Sequence, residues 1–495
     1  MSDEPPRSGH RGALGALAAC LFVVVTAEYV VVGLLPPLSA DLGVSVPTAG
    51  LLVTGYALAV TLGGPLVTVL TLRAPRRATL LGLLALFSCG NLLAATAPGF
   101  GTLLAGRVLT ALTHGTFFAI CVVSAAALVP EHRRGRAVAA VSAGLNLATV
   151  LGAPLGTWLG EAQGWRSTFW ALTATGALAL AAVATLVPAT PAPTAAPTPT
   201  ATPTPTATPT PTAADRAAPG LAAEAAALRD PRVLRLLAVT LVTEAGIFAV
   251  YTYIAPLLGE TTGYGERAVT VLLVVFGAGG VAGNLLGGRL TDRAPERALR
   301  FLIALLAAGL AAFALACHQK TAAAVGVFCL GLLAFALVPA LQTSVVLAAR
   351  RAPTLTVSAY TSVFNLGIAC GSWLGGLLIA APGPAGGHGA LPLAGALLAL
   401  AGLALTRLPT NGHRRTPPGP EPPTTPGGFR TRSDQLPTTV RDLPTGDREL
   451  RTGDRDLPTG DRELRTGDRE LRTGDRELRT GDRELRTREP ERKTP

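Results

Sequence analysis

The stretch Leu14–Leu35 reads LGALAACLFVVVTAEYVVVGLL and decides the fold of this chain. Glu28 is its one charged side chain, and most of the other residues are apolar. As an α-helix that rises about 1.5 Å per residue, the stretch spans the roughly 30 Å of hydrocarbon in a bilayer. It therefore predicts a transmembrane helix.

Runs of similar length and composition recur as far as residue 408. They are Thr48–Leu72, Ala78–Ala97, Gly101–Val129, Ala137–Gly160, Ser167–Val187, Val233–Leu258, Ala268–Gly288, Leu299–Cys317, Ala322–Ala348, Leu355–Ala381 and Leu391–Leu408. Only 15% of the whole chain is charged, whereas soluble domains carry about 25%. The sequence therefore predicts an all-α integral membrane protein with twelve transmembrane helices.

Basic residues are distributed unevenly between the loops on the two sides of these spans. The side away from the N-terminus holds Arg166, Arg267 and Lys320. The N-terminal side holds Arg7, Arg11, Arg73, Arg76, Arg77, Arg133, Arg134, Arg136, Arg289, Arg293, Arg297, Arg300, Arg350 and Arg351. Because cationic loops stay in the cytoplasm, we expect a multi-pass protein of the cell (inner) membrane with both termini cytoplasmic.

The formal net charge of +11 has the same explanation. The excess of basic residues lies mostly in these loops, where anionic lipid headgroups accommodate it. We therefore expect the lipid bilayer, and no nucleic acid, as the charged partner. No P-loop, HExxH, GxSxG or zinc-ligand spacing occurs in the sequence, so neither an enzyme, a cofactor nor a metal is predicted.

The two halves of the chain repeat each other. Arg73–Ala78 reads RAPRRA and Arg293–Ala298 reads RAPERA, 220 positions further on. Similar offsets of 219 or 220 relate three more pairs, Pro36 with Pro256, Asn146 with Asn365, and Gly152 with Gly371. Duplicated bundles of transmembrane helices produce this kind of internal similarity.

The repeat and the composition divide the chain into five predicted segments. Residues 1–13 are a cytoplasmic N-terminus, 14–187 and 233–408 are six-helix bundles, and 188–232 is a cytoplasmic Pro/Thr-rich linker. Residues 409–495 are predicted to be a disordered cytoplasmic tail that contains heptapeptide repeats. Each heptad offers one Leu and one Gly where a coiled coil needs two apolar positions, which favours disorder.

Three charged residues fall inside predicted spans, and charges are costly there. Glu28 and Arg107 lie at similar depth, so we expect them to face each other as a proton-sensitive pair. A fixed structural ion pair is the alternative. Glu244 is predicted to be a second proton site or a substrate contact, the alternative being a hydrogen bond to Thr240 or Thr243.

Other polar residues in the spans are candidates for a substrate pathway. They are Tyr29, Tyr56, Asn146, Tyr251 and Asn365. For each of them, hydrogen bonding between helices is the alternative. His114 is a further polar residue in the spans, but a lone histidine is more often a packed core residue.

Several motifs resemble those of the major facilitator superfamily, and in particular its drug:proton antiporters. Gly288, Asp292, Arg293 and Arg297 match the loop motif GxLxDRxxxxR, which in that family helps to close the cytoplasmic gate. Gly152, Pro154 and Gly156, in the sequence GAPLG, resemble the antiporter motif of its fifth helix. Arg107 is similar to an intramembrane arginine that the family links to proton coupling.

More narrowly, three stretches resemble chloramphenicol exporters and arabinose-efflux-like carriers. They are AEYVVVGLLPPLSADLGVSVPTAG at 27–50, HGTFF at 114–118 and GWRSTFW at 164–170. The resemblance implies two six-helix repeats and proton-coupled efflux of a small amphipathic drug by a monomer. A sugar or metabolite exporter of the same fold, and a non-transporting membrane sensor that acts through its tail, are the alternatives.

Overall fold

A computed structural model describes residues 8–71, 74–130, 133–188, 228–349, 353–382 and 387–408. Every regular element in these residues is helical. Most of the linker and all of the tail lie outside the described residues, so the predictions made for them stay predictions.

The described residues form fourteen α-helices and one π-helical turn, numbered here in chain order. They are α1 Ser8–Leu42, α2 Val46–Thr71, α3 Arg76–Ala95, α4 Phe100–Ala127, α5 Arg134–Leu147, the π turn Ala148–Gly152, α6 Ala153–Gln163, α7 Trp165–Leu186, α8 Pro231–Tyr251, α9 Ile254–Glu260, α10 Glu266–Arg293, α11 Pro295–Ala316, α12 Lys320–Ala348, α13 Pro353–Ala380 and α14 Ala390–Arg407. Together they contain 12 stretches long and apolar enough to cross a membrane. The predicted number of transmembrane helices is confirmed.

One predicted span is wrong in detail. The sequence indicated a continuous helix over Val233–Leu258, but α8 ends at Tyr251 and α9 begins at Ile254. Pro256 has no N–H to donate to the carbonyl of Thr252, and its ring would clash with that carbonyl in a regular helix. The helix therefore breaks one turn before the proline.

The fifth span contains the π turn between α5 and α6. Pro154 follows it in the first turn of α6. A proline inside an α-helix removes one i→i−4 hydrogen bond, and a π turn is one way in which a helix absorbs such a disturbance. The antiporter-like motif thus lies where this helix changes its winding.

Close glycine contacts show that the internal repeat is also a structural repeat. The fifth span packs on α1, where Gly152 lies against Thr26. In the second half α13 packs on α8, where Gly371 lies against Ala245. Both members of the second contact are 219 positions after those of the first. The two six-helix repeats therefore use the same helix contact.

The two ends of the membrane-spanning region differ in charge. The acidic end carries Asp41, Glu161, Glu260 and Glu266 with three basic residues, Arg166, Arg267 and Lys320. The arginine-rich end is the one at which α1 begins. Among the described residues it carries Arg76, Arg77, Arg133, Arg134, Arg136, Arg229, Arg232, Arg235, Arg289, Arg293, Arg297, Arg300 and Arg407.

The two halves pack against each other from the acidic end to the middle of α2 and α13. Ser372 donates a hydrogen bond to the carbonyl of Gly50 at 3.2 Å, and Thr61 donates to the carbonyl of Ser362 at 3.2 Å. Beyond Thr61, toward the arginine-rich end, all of residues 65–70 except Val67 are exposed. The structure therefore has its halves closed at the acidic end.

Candidate functional site

Three polar side chains from three helices meet at the interface of the halves. Glu28 of α1 places a carboxylate oxygen 3.5 Å from Nε2 of His114 on α4. The other ring nitrogen of His114, Nδ1, lies 3.2 Å from the hydroxyl of Tyr56 on α2. Both imidazole nitrogens of His114 therefore have partners, one on α1 and one on α2.

His114 belongs to this cluster, although the sequence analysis assigned it no partner. It was expected in a packed core, as most lone histidines are, yet it contacts Glu28. A signal was present in the spacing, because His114 follows Arg107 by seven residues. Seven residues are nearly two turns, so both side chains lie on the same face of α4.

Arg107 is almost fully buried, at 1% exposed, and contacts α1 through its backbone. Its guanidinium donates to the carbonyl oxygens of Ala27 and Glu28, the second at 3.3 Å. It also lies over the ring of Tyr56, 4.2 Å from the ring centre. The expected pairing of Arg107 with the Glu28 carboxylate is therefore wrong, because the guanidinium binds the backbone carbonyl of Glu28 instead. The two residues do lie at the same level of the helices.

The geometry explains this correction. A guanidinium presents a rigid fork of N–H donors, and a carbonyl oxygen in a helix keeps a free lone pair. Two successive carbonyls of α1 match that fork, which leaves the Glu28 side chain free to reach His114 further along α4. Arg107 thus holds α1 against α4 and puts a positive charge beside the carboxylate.

Glu28, Tyr56 and Arg107 line a small cavity of about 10 Å³, here called the Glu28 cavity. Its wall includes Glu28, Tyr29, Tyr56, Arg107 and Phe248. The side chains of Glu28 and His114 are 14% and 15% exposed, so the pair is not sealed from its surroundings. The cavity joins elements of both halves, since Phe248 belongs to α8.

Glu244 of α8 lines a second cavity of about 20 Å³, the Glu244 cavity. Its other wall residues are mainly aromatic, namely Tyr29, Phe248, Tyr251, Phe276, Phe335 and Phe364. Tyr251 and Phe276 stack with ring centres 4.3 Å apart, and Tyr29 meets Tyr251 edge-on at 6.2 Å. Tyr29 and Phe248 also belong to the Glu28 cavity, so they separate two adjoining cavities.

The alternative of a hydrogen bond from Thr240 or Thr243 to Glu244 is wrong for this structure. Thr240 donates to the carbonyl of Leu236 at 2.9 Å, and the hydroxyl of Thr243 has no partner among the residues that the structure describes. One carboxylate oxygen of Glu244, Oε1, is buried with no hydrogen-bond partner in the described part of the chain. Glu244 is thus a buried carboxylate that its own helix leaves incompletely paired.

The remaining pathway candidates separate into two groups. Tyr29, Tyr56 and Tyr251 all line the two cavities. Asn146 and Asn365 lie outside both of them, and the side chain of Asn365 donates to the carbonyl of Thr361 in its own helix at 3.0 Å. The structure therefore gathers the tyrosines and not the asparagines.

The two family-like motifs lie away from the cavities. Gly152 and Gly156 bring the fifth span against Thr26 and Val30 of α1, with Pro154 between them. Gly288, Asp292, Arg293 and Arg297 lie where α10 ends and α11 begins, and the three charged side chains are exposed. They lie at the arginine-rich end, away from the contacts between the halves. The predicted gate contact therefore stays a prediction.

A larger cavity of about 380 Å³ lies between the halves at the acidic end and is here called the vestibule. Four carboxylates line it, and its wall contains no arginine or lysine. Thr270 of the second half donates to Glu161 of the first at 2.7 Å, which links the halves across it. Asp41 accepts hydrogen bonds from Trp165 and Arg166 at 2.8 and 2.7 Å.

The chain is similar to proteins whose names describe transport or drug resistance. The inner membrane transport protein YdhP of Escherichia coli (strain K12) is 37% identical over 390 residues, which cover 79% of this chain and 93% of that protein. A chloramphenicol resistance protein of Streptomyces lividans is 37% identical over 355 residues, 72% of this chain and 86% of that one.

Similarity extends to solved structures and to a family. A bacterial homologue of the human lysosomal transporter Spinster, in an inward-facing and unoccupied conformation, has a TM-score of 0.65 at 18% identity, covering 81% of this chain and 96% of that one. Residues 17–357 match the Major Facilitator Superfamily. The chain therefore belongs to the Major Facilitator Superfamily and is a multi-pass membrane transporter, not an enzyme.

Proposed function

We propose that this protein is a proton-coupled exporter of a small amphipathic drug, with chloramphenicol as the first substrate to test. The observation that carries the proposal is the contact of Glu28 with His114, together with a cavity between the halves that Glu28 and Arg107 line. Similarity to a chloramphenicol resistance protein supports the outward direction of transport and the choice of substrate. The protein would lie in the inner membrane with its arginine-rich end in the cytoplasm.

In this proposal, proton coupling arises because a proton and His114 compete for the Glu28 carboxylate. When Glu28 is ionised, it attracts a protonated His114, and Arg107 adds a positive charge nearby. A proton bound to Glu28 removes that attraction and changes the charge of the cavity by one unit. If a substrate binds one of these two states better, its binding and protonation are thermodynamically linked.

Export then requires the halves to separate at the acidic end and to close at the arginine-rich end. In this structure they are closed at the acidic end, so the opposite state closes at the arginine-rich end and opens the vestibule. The contact of Thr61 with Ser362 lies between the two ends and is a place about which the halves can rock. Asp292, Arg293 and Arg297 would then approach the first half.

The test is accumulation of labelled chloramphenicol in cells that express the wild type, Glu28→Gln or Asp230→Asn, with and without an uncoupler. Asp230→Asn is the matched control, because it also removes one carboxylate, and asparagine can still accept the hydrogen bond from the Arg232 amide that begins α8. We expect lower accumulation with the wild type and the control, and empty-cell levels with Glu28→Gln or the uncoupler.

Other results would contradict the proposal in specific ways. Export by Glu28→Gln at the wild-type rate would exclude Glu28 as the proton site. No difference between the wild type and empty cells would favour a sugar or metabolite carrier, which a substrate screen then identifies. Loss of activity on deletion of residues 409–495 with unchanged membrane insertion would favour the sensor, because a transporter does not need its tail to move substrate.

A further inference from the structure

At the acidic end, each half has a carboxylate in contact with a basic side chain at equivalent positions. In the first half Arg166, at the start of α7, donates to Asp41 near the end of α1 at 2.7 Å. In the second half Nδ1 of His388, just before α14, lies 3.1 Å from a carboxylate oxygen of Glu260 at the end of α9. Glu260 follows Asp41 by 219 positions and His388 follows Arg166 by 222, close to the offsets of the internal repeat.

The two contacts differ in the basic residue. An arginine stays charged at any physiological pH, whereas a histidine does not. The side chain of His388 is 12% exposed, and its Nε2 is buried with no hydrogen-bond partner among the described residues. A neutral ring can donate from Nδ1 to Glu260 and carry no hydrogen at Nε2. A protonated ring places a second N–H donor at Nε2, where nothing in the described part of the chain accepts it.

The titration of His388 follows from this environment. Burial lowers the pKa of His388 from its usual value of 6.5, and the attraction of Glu260, which is largely exposed to solvent, opposes this only in part. A group whose pKa is lowered in one conformation holds its proton less tightly there, so protonation favours a conformation without that burial. The contact is therefore favoured at neutral pH and weakened as the pH falls.

Other charged groups at the acidic end do not replace Glu260 as the partner of His388. They are Asp41, Glu161, Arg166, Glu266, Arg267, His318 and Lys320. None of them forms an ion pair with His388 in the part of the chain that the structure describes, and α13 and α14 bring no charged residue to this end. Burial and Glu260 thus determine how His388 titrates.

The contact matters because α9 lies between the halves. On one side α9 packs against α1 of the first half, and Pro256, Gly259 and Glu260 line the vestibule. On the other side, Glu260 joins the end of α9 to His388 in the second half. The break after Tyr251 separates α9 from α8, whereas α1 continues to its end without a break. α9 is therefore a short bridge between the halves that is not rigidly continuous with a transmembrane helix.

The loop that follows α9 is held by hydrogen bonds that do not change between neutral and acidic pH. Thr262 donates to the carbonyl of Cys317 at 2.6 Å, and the hydroxyl of Tyr264 donates to the carbonyl of Lys320 at 2.6 Å. A hydroxyl group of either kind keeps its hydrogen throughout this range. The contact with His388 is thus the part of this attachment that responds to acid.

We propose that the contact of His388 with Glu260 is a pH sensor at the acidic end, which holds α9 in the closed position while His388 is neutral and releases it when His388 is protonated. Acid on this side then favours opening of the vestibule. The first half does not respond in this way, because Arg166 stays charged. The inference concerns the balance of closed and open forms and does not require export; if the proposed function holds, an acidic exterior favours release of the substrate.

The test measures the distance between the halves at the acidic end by double electron–electron resonance. Spin labels are placed on Thr96→Cys and Gln319→Cys, two exposed positions, in the full-length protein with its native cysteines replaced by alanine. The purified protein is measured in detergent without substrate between about pH 8 and 5. One titrating proton changes the ratio of two states by at most about tenfold per pH unit.

His388→Asn is the decisive variant, because the amide nitrogen of asparagine takes the place of Nδ1 and keeps the hydrogen bond to Glu260 without a charge. We expect acid to raise the ratio of open to closed forms by at least about threefold more in the parent protein than in this variant. His318→Asn is the matched control, since His318 is an exposed histidine at the same end, and it should respond as the parent does.

Glu260→Gln provides a second readout that a purely structural contact would not give. It removes the attraction that partly opposes the effect of burial, so the response that depends on His388 should have its midpoint at a lower pH. This response is the difference between Glu260→Gln and the double variant Glu260→Gln with His388→Asn. The midpoint also decides the matter if His388→Asn alone does not give a monodisperse protein.

Three results would overturn the proposal: an acid response of His388→Asn within about twofold of the parent, closure instead of opening in acid, or a midpoint that Glu260→Gln does not lower. The sensor and the proposed function fail separately. An acid response that needs His388, in a protein that exports no drug, would contradict the proposed function and support the sensor. Drug export with an acid response that does not need His388 would do the reverse.

Discussion

The charged site of the first half and that of the second half lie on the same scaffold but differ in how their atoms are paired. Glu28 contacts His114, and Arg107 donates to two carbonyl oxygens. Glu244 has an unpaired oxygen and a wall of aromatic rings. Duplication thus preserved helix packing, whereas the two sets of side chains differ in how their charges are paired and in what surrounds them.

The glycine contacts teach the same lesson at the level of the backbone. A methyl group at Gly152 would meet the side chain of Thr26, which can rotate. A methyl group at Gly371 would meet the backbone of Ala245, which cannot move without moving α8. The equivalent contact is therefore more tightly constrained in the second half.

Arg107→Lys should give the largest effect, because it breaks the first-half site and leaves the second intact. A lysine has no planar fork, so it cannot donate to both carbonyls and stack on Tyr56. We expect proton-driven export to fall by more than about tenfold, and the free energy of unfolding to fall by about 2 kcal/mol. Export from inverted vesicles and thermal unfolding in detergent measure the two effects.

Arg300→Lys is the control for that variant. Arg300 lies on the surface of α11 and pairs with Glu296 of its own helix at 3.7 Å, a kind of pair that contributes little. Export and stability should stay at wild-type values. Wild-type behaviour of Arg107→Lys itself would show that the bonds to α1 are dispensable.

Gly371→Ala and Gly152→Ala sharpen the comparison of the two scaffolds. Overpacking against a rigid backbone costs about 1–3 kcal/mol, and we expect this loss for Gly371→Ala. Gly152→Ala should lose less, because the atoms that must shift, including the Cβ of Thr26, belong to one side chain and not to a helix carbonyl. Thermal unfolding of the purified variants measures the difference, and equal losses would mean that the Thr26 side chain is as fixed as the backbone.

His114→Gln should separate the charge of the first-half site from its hydrogen bonds. Glutamine can still donate a hydrogen bond to Glu28 but cannot carry a positive charge, so export by the variant should depend less on pH. We expect the export rate to fall by about fivefold where the wild type is fastest. His318→Gln, in an exposed loop at the acidic end, is the matched control, and a wild-type pH profile for His114→Gln would remove His114 from proton coupling.

Thr270→Val should give the smallest effect, because it removes one hydrogen bond between the halves. The bond to Glu161 contributes about 1 kcal/mol, so the state open at the acidic end should become about fivefold more populated. Alkylation of Gly259→Cys in the vestibule, with the native cysteines replaced by alanine, reports that state. Thr173→Val is the control, because it loses only a hydrogen bond to the carbonyl of Phe169 in its own helix. It should leave the rate of alkylation unchanged.

The fold was predictable from the sequence because its signals are local. The length of an apolar run decides whether a helix crosses a bilayer, and the number of twelve spans was confirmed. The sequence also indicated the repeat, since the spacing of Gly152 and Gly371 recurs in their contacts with α1 and α8. The chemistry of proline alone did not predict the break before Pro256, because α1 continues through Pro36, its repeat partner.

The atoms of the site were decided by the tertiary structure. Depth along a helix follows from residue number, so the sequence by itself determined that Glu28 and Arg107 share a level of the membrane. The partner of each side chain depends on how α1, α4 and α8 are rotated about their axes, and packing against neighbouring helices sets that rotation. For this reason only the structure showed that His114 contacts the carboxylate of Glu28 and that Arg107 donates to two carbonyl oxygens. It also showed that Glu244 lies among aromatic rings, with Oε1 unpaired among the described residues.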